Sequence, residues 1–223
     1  MAENEAAIQD ALNIAEYLQL AAEGLLERSQ RLVRLAEELG RDVGVVWAFP
    51  VGTEKYPAEA WYCATVHDPT GRANNGYGHT GIDLNVDRWP WGDVDRGQPV
   101  RAVADGIIQA VDYSSRYLGS VILEVEHNGG LLYFRYWHLM NDDLFQSLES
   151  LQAVRAGDVL GYIGNYELGA GGDHLHFDCA TTLFGPHWWF TNHSEIDWID
   201  PVPVLMAHLD ARVVDKMLAK GAG

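Results

Sequence analysis

The chain is poor in basic residues, and this shortage excludes several classes of partner. It has 15 Lys and Arg against 32 Asp and Glu, which gives a formal net charge of −17. Nucleic-acid binding needs clustered basic side chains that neutralise phosphates, so we expect no nucleic-acid partner. The same charge argues against simple electrostatic adhesion to anionic lipid or to an anionic wall polymer.

Long apolar runs are scarce as well. The longest uncharged apolar stretch runs from Val43 to Thr53. It is about half as long as a membrane-spanning helix, so no transmembrane segment is predicted. The first residues, Met-Ala-Glu-Asn-Glu, lack the basic region and the apolar core of a signal peptide.

Cysteine is the third scarce residue. The two cysteines, Cys63 and Cys179, could form one disulfide or remain buried thiols, and the sequence leaves both alternatives open. Two cysteines cannot make a zinc site by themselves. Any metal must therefore be bound by histidines and carboxylates.

The two ends of the chain are predicted to be helical. Across residues 3–39, Leu, Ile and Ala recur at spacings of three, four or seven, which predicts an amphipathic helix within an N-terminal segment 1–42. Its apolar face must be covered by the main domain, by a second copy of the helix or by a missing segment, so docking and homodimerisation both remain open. At the other end, apolar residues repeat every four positions from Pro203 to Lys220 and predict a closing helix, which makes residues 204–223 the C-terminal segment.

The middle segment, residues 43–203, has the composition of a mainly β domain. Glycine, proline and short runs of β-branched or aromatic residues alternate with turn signals. We predict strands at Pro99–Ala104, Gly106–Tyr113, Val121–His127, Leu131–His138, Asp158–Ile163 and His174–Thr181. Asp105-Gly106 and Asn128-Gly129-Gly130 are the turn signals between neighbouring strands. A short helix is predicted at Asp142–Leu151, with Asn141 as its cap.

The placement of the nine histidines carries most of the functional information. His174 and His176 are two apart on a predicted strand, so both side chains point to one face. His79 and Asp83 are four apart, and Gly81 between them relaxes the backbone so that both can converge. His138 ends an aromatic strand. The remaining five histidines are interpreted as surface or core residues: His67, His127, His187, His193 and His208.

This combination of residues suits metal-assisted hydrolysis. A catalytic zinc ion takes three protein ligands and keeps one position for water, and two imidazoles with one carboxylate meet that need. Amide hydrolysis also requires proton transfer and a donor for the oxyanion, which two further histidines can supply. The His-x-His pair alone would be a weak signal, because alternating polar residues also decorate wet sheet faces.

Five sequence elements resemble, in the same order, those of the M23 (lysostaphin/LytM-type) peptidases. The resemblance covers roughly residues 45–205. The elements are Gly78-His79-Thr80-Gly81-Ile82-Asp83, Val100–Ile108, Tyr136-Trp137-His138-Leu139, Val154–Gly164 and His174-Leu175-His176-Phe177-Asp178.

The resemblance implies both a fold and an activity. The fold is a glycine-rich antiparallel β-sandwich, and the activity is zinc-dependent endopeptidase cleavage of peptides in bacterial cell-wall peptidoglycan. It implies that His79, Asp83 and His176 bind Zn²⁺ and that His138 and His174 are the catalytic pair. A location outside the cytoplasm, in the periplasm or secreted, is expected from that substrate.

The chain departs from the family pattern at three places. Asp178 stands where Glu is common, and Asp173 precedes His174 where an uncharged residue is usual. We hypothesise that the Asp173 carboxylate raises the pKa of His174. The link Trp89–Asp95 is longer and more aromatic than usual and, like Pro186–Phe190, could line a groove.

Three other functions are alternatives to a cell-wall peptidase. Val154–Gly164 also resembles a biotinyl-carrier hairpin, but no lysine lies in the predicted sheet, which excludes a carrier. A non-catalytic M23-like module that binds or regulates cell-wall enzymes remains open, although such modules typically lose metal ligands. A peptidase that acts on glycine-rich proteins is the third alternative.

Overall fold

The structure is a computed structural model, and it describes residues 46–68, 78–86, 94–165, 172–185 and 196–221. The helix predicted within residues 1–42 lies outside these residues, so that helix and its role in dimerisation stay predictions. Within the described part of the chain, no helix is long and apolar enough to cross a membrane.

The described residues form ten strands and three α-helices. The strands are β1 Tyr62–Thr65, β2 Gly81–Asn85, β3 Pro99–Arg101, β4 Gly106–Ser114, β5 Leu118–His127, β6 Gly130–Leu139, β7 Ala153–Val154, β8 Val159–Tyr162, β9 Leu175–Ala180 and β10 Trp198–Ile199. The helices are α1 Asp143–Ser147, α2 Pro201–His208 and α3 Ala211–Gly221. The predicted mainly β fold is confirmed.

The strands build two antiparallel sheets that share one core. Eight strands form the large sheet, in the order β1-β2-β9-β6-β5-β4-β7 with β10 paired to β9, while β3 and β8 form the second sheet. Val100 and Leu160 of the small sheet belong to the same buried apolar cluster as Phe134 and Phe177 of the large sheet. Burial of these side chains supplies the main driving force for bringing the sheets together.

Alternation along the strands gives the large sheet two different faces. Phe134 on β6 and Phe177 on β9 stack at 5.5 Å within the apolar core. Their strand neighbours Arg135, His176 and Asp178 therefore point to the opposite face. This second face carries the chemistry, and it is also closed off, because all three residues are buried.

One of the two predicted strand connections is correct. Strands β5 and β6 pair through His127 and Gly130, and both Asn128 and Gly129 have the left-handed conformation of a tight hairpin turn. The Asp105-Gly106 connection does not form a hairpin. β3 pairs with β8, whereas β4 pairs with β5 and β7, so the chain crosses from one sheet to the other at this point.

The helices differ from the prediction in three details. The helix predicted at Asp142–Leu151 is shorter, because α1 ends at Ser147 and Leu148 is extended. The side chain of Asp142, not Asn141, caps α1 by accepting a hydrogen bond from the Phe145 backbone amide at 2.8 Å. The closing segment is two helices rather than one. Leu209 is extended after α2, and the Asp210 carboxylate then accepts a hydrogen bond from the Arg212 amide at 3.0 Å, which begins α3.

The two cysteines do not form a disulfide. Cys63 on β1 and Cys179 on β9 are both free thiols and both buried. Burial, with a smaller contribution from Asp83, raises the pKa of the Cys63 thiol to about 12. Both cysteines pack in the apolar core, where they behave as small hydrophobic residues.

Candidate metal and catalytic site

The register of three neighbouring strands assembles the site. β9 lies between β2 and β6, and His176 is paired with Asp83 on one side and with Trp137 on the other. His79 lies just before β2, and its backbone is bridged to Asp68 by two hydrogen bonds of 2.8 Å. Residues that are almost a hundred positions apart in the sequence thereby become direct neighbours.

Gly81 allows β2 to approach β9 closely. A Cβ atom at this position would lie 2.2 Å from the Phe177 carbonyl oxygen, far inside van der Waals contact. Gly81 is not in the left-handed region. The glycine is therefore required because the two backbones lie so close together, rather than for the conformational relaxation that the sequence suggested.

A β-bulge directs His138 into the site. Gly119 pairs with Leu139 and Ser120 with Trp137, so His138 is one extra residue in β6. Its φ of 70° lies in the left-handed region, which is unusual for a non-glycine residue. Regular alternation would place its side chain on the core face. The bulge instead stacks the His138 ring on the Trp137 ring, with centroids 5.0 Å apart.

Three imidazole nitrogens converge on a single carboxylate oxygen. Asp83 Oδ1 lies 2.9 Å from His176 Nδ1, 3.1 Å from His79 Nε2 and 3.5 Å from His174 Nε2. The His138 ring lies beside this group, with its centroid 4.8 Å from that of the His174 ring. The structure therefore brings together all five residues that the sequence singled out. All four imidazoles are buried.

The spacing of these atoms fits a metal ion. The ligand atoms of His79, Asp83 and His176 all lie within 4.8 Å of one another. Ligands placed at about 2.0–2.1 Å around a tetrahedral ion are about 3.3 Å apart, so the contacts of 2.9 Å and 3.1 Å with Asp83 match that geometry. Two imidazoles and one carboxylate are also a donor set that hydrolytic metal sites use.

Backbone carbonyls fix the orientation of three of the four rings. The Nδ1 atom of each lies 2.9–3.0 Å from a carbonyl oxygen, which can only accept a hydrogen bond. Nδ1 must therefore carry a proton in these contacts, which leaves Nε2 as the nitrogen that faces the site. The contacts are His79 with Val66, His138 with Tyr117, and His174 with Gly172.

His176 is held through its Nε2 atom rather than through Nδ1, and its partner is a side chain rather than a backbone carbonyl. Its Nε2 lies 2.9 Å from Asp178 Oδ1. Arg135 Nε donates to the other Asp178 oxygen at 2.6 Å, and Thr80 donates its hydroxyl hydrogen to Oδ1. Asp178 is completely buried. Thr80 and Arg135 were not identified from the sequence, and Asp178 was noted only for replacing Glu.

The charges shift the pKa values of the site residues strongly. Burial opposes ionisation of Asp83, but the neighbouring His174 and the hydrogen bonds from His176 and His79 outweigh it and hold its pKa well below the usual range. Burial and the charges of His174 and His176 lower the pKa of His138 well below its ordinary value. His138 is therefore neutral at pH 7.

His176 shows the opposite shift. Burial lowers its pKa, but Asp178 and Asp83 outweigh that effect and raise the pKa to about 9. Its partner Asp178 is held ionised, because Arg135 and His176 lower the Asp178 pKa despite burial. In the metal-free protein a proton thus lies on His176 Nδ1 beside Asp83. A bound metal ion would take the place of that proton.

The other sequence candidates lie at different places. The carboxylate of Asp173 accepts a hydrogen bond from Arg96 Nε at 2.8 Å. Its effect on the pKa of His174 stays a prediction. His67 contacts the Thr80 carbonyl oxygen, while His127 and His208 contact each other near the protein surface. His187, His193, Pro186–Phe190 and most of Trp89–Asp95 lie outside the described residues.

The fold and the site together define a mainly β protein with a buried histidine and carboxylate centre of the kind that binds a metal ion. Residues 77–185 match the model of peptidase family M23. These residues, just under half of the chain, are thus similar to that family. The match is shorter than the 45–205 of the sequence resemblance, but it includes all five residues of the centre.

Several solved structures are similar to this chain. LytM from Ruminococcus gnavus is 22% identical, with a TM-score of 0.47, over 78% of this chain and 62% of that one. LytU is 21% identical, with a TM-score of 0.49, over 68% and 89%. A zinc-containing peptidase from Vibrio cholerae is 21% identical, with a TM-score of 0.42, over 60% and 36%. The chain thus spans less than two thirds of the Ruminococcus protein. No curated protein matches the chain.

Proposed function

We propose that this protein is a zinc-dependent endopeptidase that hydrolyses peptide bonds in bacterial cell-wall peptidoglycan. The observation that carries the proposal is the approach of His176 Nδ1, His79 Nε2 and His174 Nε2 to one Asp83 oxygen, at 2.9, 3.1 and 3.5 Å. Imidazole nitrogens gathered around one carboxylate are a donor set that a catalytic metal ion uses. The match of residues 77–185 to a peptidase family supports the same conclusion.

The proposed ligands are His79 Nε2, Asp83 and His176 Nδ1. Their two imidazoles and single carboxylate would leave a zinc site with net positive charge and one position free for water. Zinc bound there would lower the pKa of a water ligand to about 7 and polarise a carbonyl group. His138 and His174 then remain outside the ligand set and are the proposed catalytic pair.

The catalytic pair is suited to moving protons through Nε2. In both rings Nδ1 donates to a backbone carbonyl, so Nε2 is the atom that can take a proton from the attacking water or give one to the leaving amine. The low pKa of His138 keeps that ring neutral, so one of its nitrogens has a lone pair that can accept a proton. Because the two rings are 4.8 Å apart, both can face one substrate amide.

A non-catalytic module is the main competing function. Loss of a ligand or of a proton-transfer group would favour it, but His79, Asp83, His138, His174 and His176 are all present and gathered in one place. This supports an active enzyme. The substrate is proposed from the family, and a location outside the cytoplasm, in the periplasm or secreted, follows from that substrate. Cleavage of glycine-rich proteins is the alternative within the same chemistry.

Metal analysis and product analysis together test the proposal. We expect protein purified without chelators to contain about one zinc ion per chain. We also expect it to release fragments from purified peptidoglycan, to stop doing so with a chelator, and to recover when zinc is added. Mass spectrometry of the fragments identifies the bond that is cut. Protein without stoichiometric metal and without released fragments would favour the non-catalytic module. Digestion of glycine-rich peptides alone would favour a peptidase that acts on glycine-rich proteins.

A further inference from the structure

One carboxylate on the site face has a different environment from Asp83. Asp178 is completely buried, and its two oxygens contact three different side chains. Oδ1 accepts from Thr80 and lies 2.9 Å from His176 Nε2, while Oδ2 accepts from Arg135 Nε at 2.6 Å. Asp178 therefore bridges a guanidinium group and a ring that the proposed function assigns to the metal.

The bridge determines which nitrogen of His176 faces the site. An ionised carboxylate has no hydrogen to donate, so the contact with Asp178 requires a proton on Nε2 of His176. Nδ1 is then the nitrogen that faces Asp83, and it is the one that can lend its lone pair to a metal ion. The backbone fixes the rings of His79, His138 and His174 instead, each through its Nδ1.

We propose that Asp178, held by Arg135 and Thr80, is the positioning residue that makes His176 a metal ligand through Nδ1. This inference rests on the proposed zinc site and assigns a task to residues outside it. A carboxylate that orients a ligating imidazole typically contributes 10–100-fold to metal affinity.

Arg135 fixes Asp178 from the neighbouring strand. The two residues are directly paired between β6 and β9. Arg135 is itself almost fully buried, and its guanidinium group lies 4.3 Å from the Trp137 ring centroid and 5.2 Å from that of Trp198. With the Phe184 ring at 5.3 Å, three aromatic rings and one carboxylate thus restrict the guanidinium. The position of Asp178 is set by packing before any metal binds.

The main test measures zinc affinity by competition with a chromophoric chelator. Asp178→Asn replaces the obligate acceptor with an amide that can also donate to Nε2, which would turn the lone pair away from the site. We expect affinity to fall by about 10–100-fold. Asp178→Glu restores a carboxylate and should recover much of the loss. Affinity of Asp178→Asn equal to that of the wild-type protein would overturn the proposal.

Two further variants separate positioning from stability. Asp95→Asn is the matched control, since Asp95 is also a buried carboxylate, but its oxygens accept from Asn85 and from the Val86 amide. It should leave zinc affinity unchanged. If Asp178→Asn does not fold because Arg135 loses its counter-charge, Thr80→Val removes a single hydrogen bond to Asp178. That variant should weaken zinc binding about fivefold.

A second measurement does not depend on metal binding. The His176 Nε2–H bonded to Asp178 should give a low-field imidazole proton signal in histidine-labelled protein, assigned by its loss in His176→Ala. We expect this signal in the metal-free wild-type protein and in Asp95→Asn, but not in Asp178→Asn. Its persistence in Asp178→Asn would overturn the inference. A wild-type protein that gives the signal but binds no zinc would instead overturn the proposed function.

Discussion

The molecule contains two groups of histidines that contrast in almost every physical respect. The buried cluster lies on the site face of the large sheet and comprises His79, Asp83, His138, His174 and His176. The surface pair comprises His127, at the end of β5, and His208, at the end of α2. Their Nε2 atoms are 2.9 Å apart, and the Trp47 ring stacks on His208 with centroids 4.2 Å apart.

The difference lies in how the ring nitrogens are used. Each ring of the buried cluster has one nitrogen fixed by a carbonyl or by Asp178, and the other is directed inward. In the surface pair the two Nε2 atoms contact each other, so a proton on one bonds to the lone pair of the other. Imidazoles thus form a candidate reactive centre where the fold binds the ring nitrogen that points away from the site. Two neighbouring rings without such contacts do not form a reactive centre.

The sharpest way to break this comparison is to delete one ring from each group. His176→Ala removes a proposed ligand, and we expect loss of both stoichiometric zinc and peptidase activity. His208→Ala is the matched change in the surface pair and should keep both. Metal content after dialysis and fragment release from peptidoglycan are the two measurements. Equal zinc content in the two variants would remove the distinction between the clusters.

A second substitution separates two roles within the buried cluster. His138 is outside the proposed ligand set: its Nδ1 donates to the Tyr117 carbonyl oxygen at 3.0 Å, and its ring centroid lies 6.1 Å from that of His176. His138→Ala should therefore retain zinc but lose about 10²–10⁴ in rate, the usual contribution of a positioned acid–base group. Steady-state kinetics on a defined peptide substrate and metal analysis of the same sample check this. Full activity would exclude His138 from the mechanism.

The sequence predicted the parts of the site that follow from simple periodicity. His174 and His176 were assigned to one strand face by alternation, and the glycine-rich context of His79 and Asp83 marked their convergence. The path of His138 could not be predicted, because it depends on a bulge opposite Gly119 and Ser120. Regular alternation would have turned this ring into the core.

The partners of Asp178 were beyond sequence reasoning for a different reason. Arg135 looked like one polar residue in an aromatic strand, and its contact with Asp178 exists only because β6 and β9 are neighbours in this register. Strand order also decides that Pro99–Arg101 pairs with Val159–Tyr162 rather than with the strand that follows it. Non-local pairing of this kind is set by burial of whole faces, which local patterns do not encode.

The energetic cost of crowding β2 against β9 can be measured by replacing one glycine with alanine near each group of histidines. Gly81→Ala would place a Cβ atom 2.2 Å from a backbone oxygen beside the buried cluster, so we expect a loss of about 3 kcal/mol in the free energy of unfolding. Gly130→Ala lies in the hairpin beside His127, where the nearest atom would be 3.7 Å away. It should change stability by less than about 0.5 kcal/mol. Urea unfolding with a chelator present isolates this effect from metal loss, and similar values for the two variants would contradict it.

The smallest expected effect concerns the surface pair itself. Slight burial and the neighbouring His127 lower the pKa of His208 below its ordinary value of about 6.5. The unfolded chain then binds a proton more readily than the folded protein, so stability is lost as the pH falls below about 6.5 towards the lowered pKa. His208→Gln removes this titration and should lose less stability than the wild-type protein between pH 8 and pH 5. Because the buried histidines titrate in both proteins, the difference between the two pH profiles isolates His208. Parallel profiles would mean that the contact with His127 has no energetic consequence in solution.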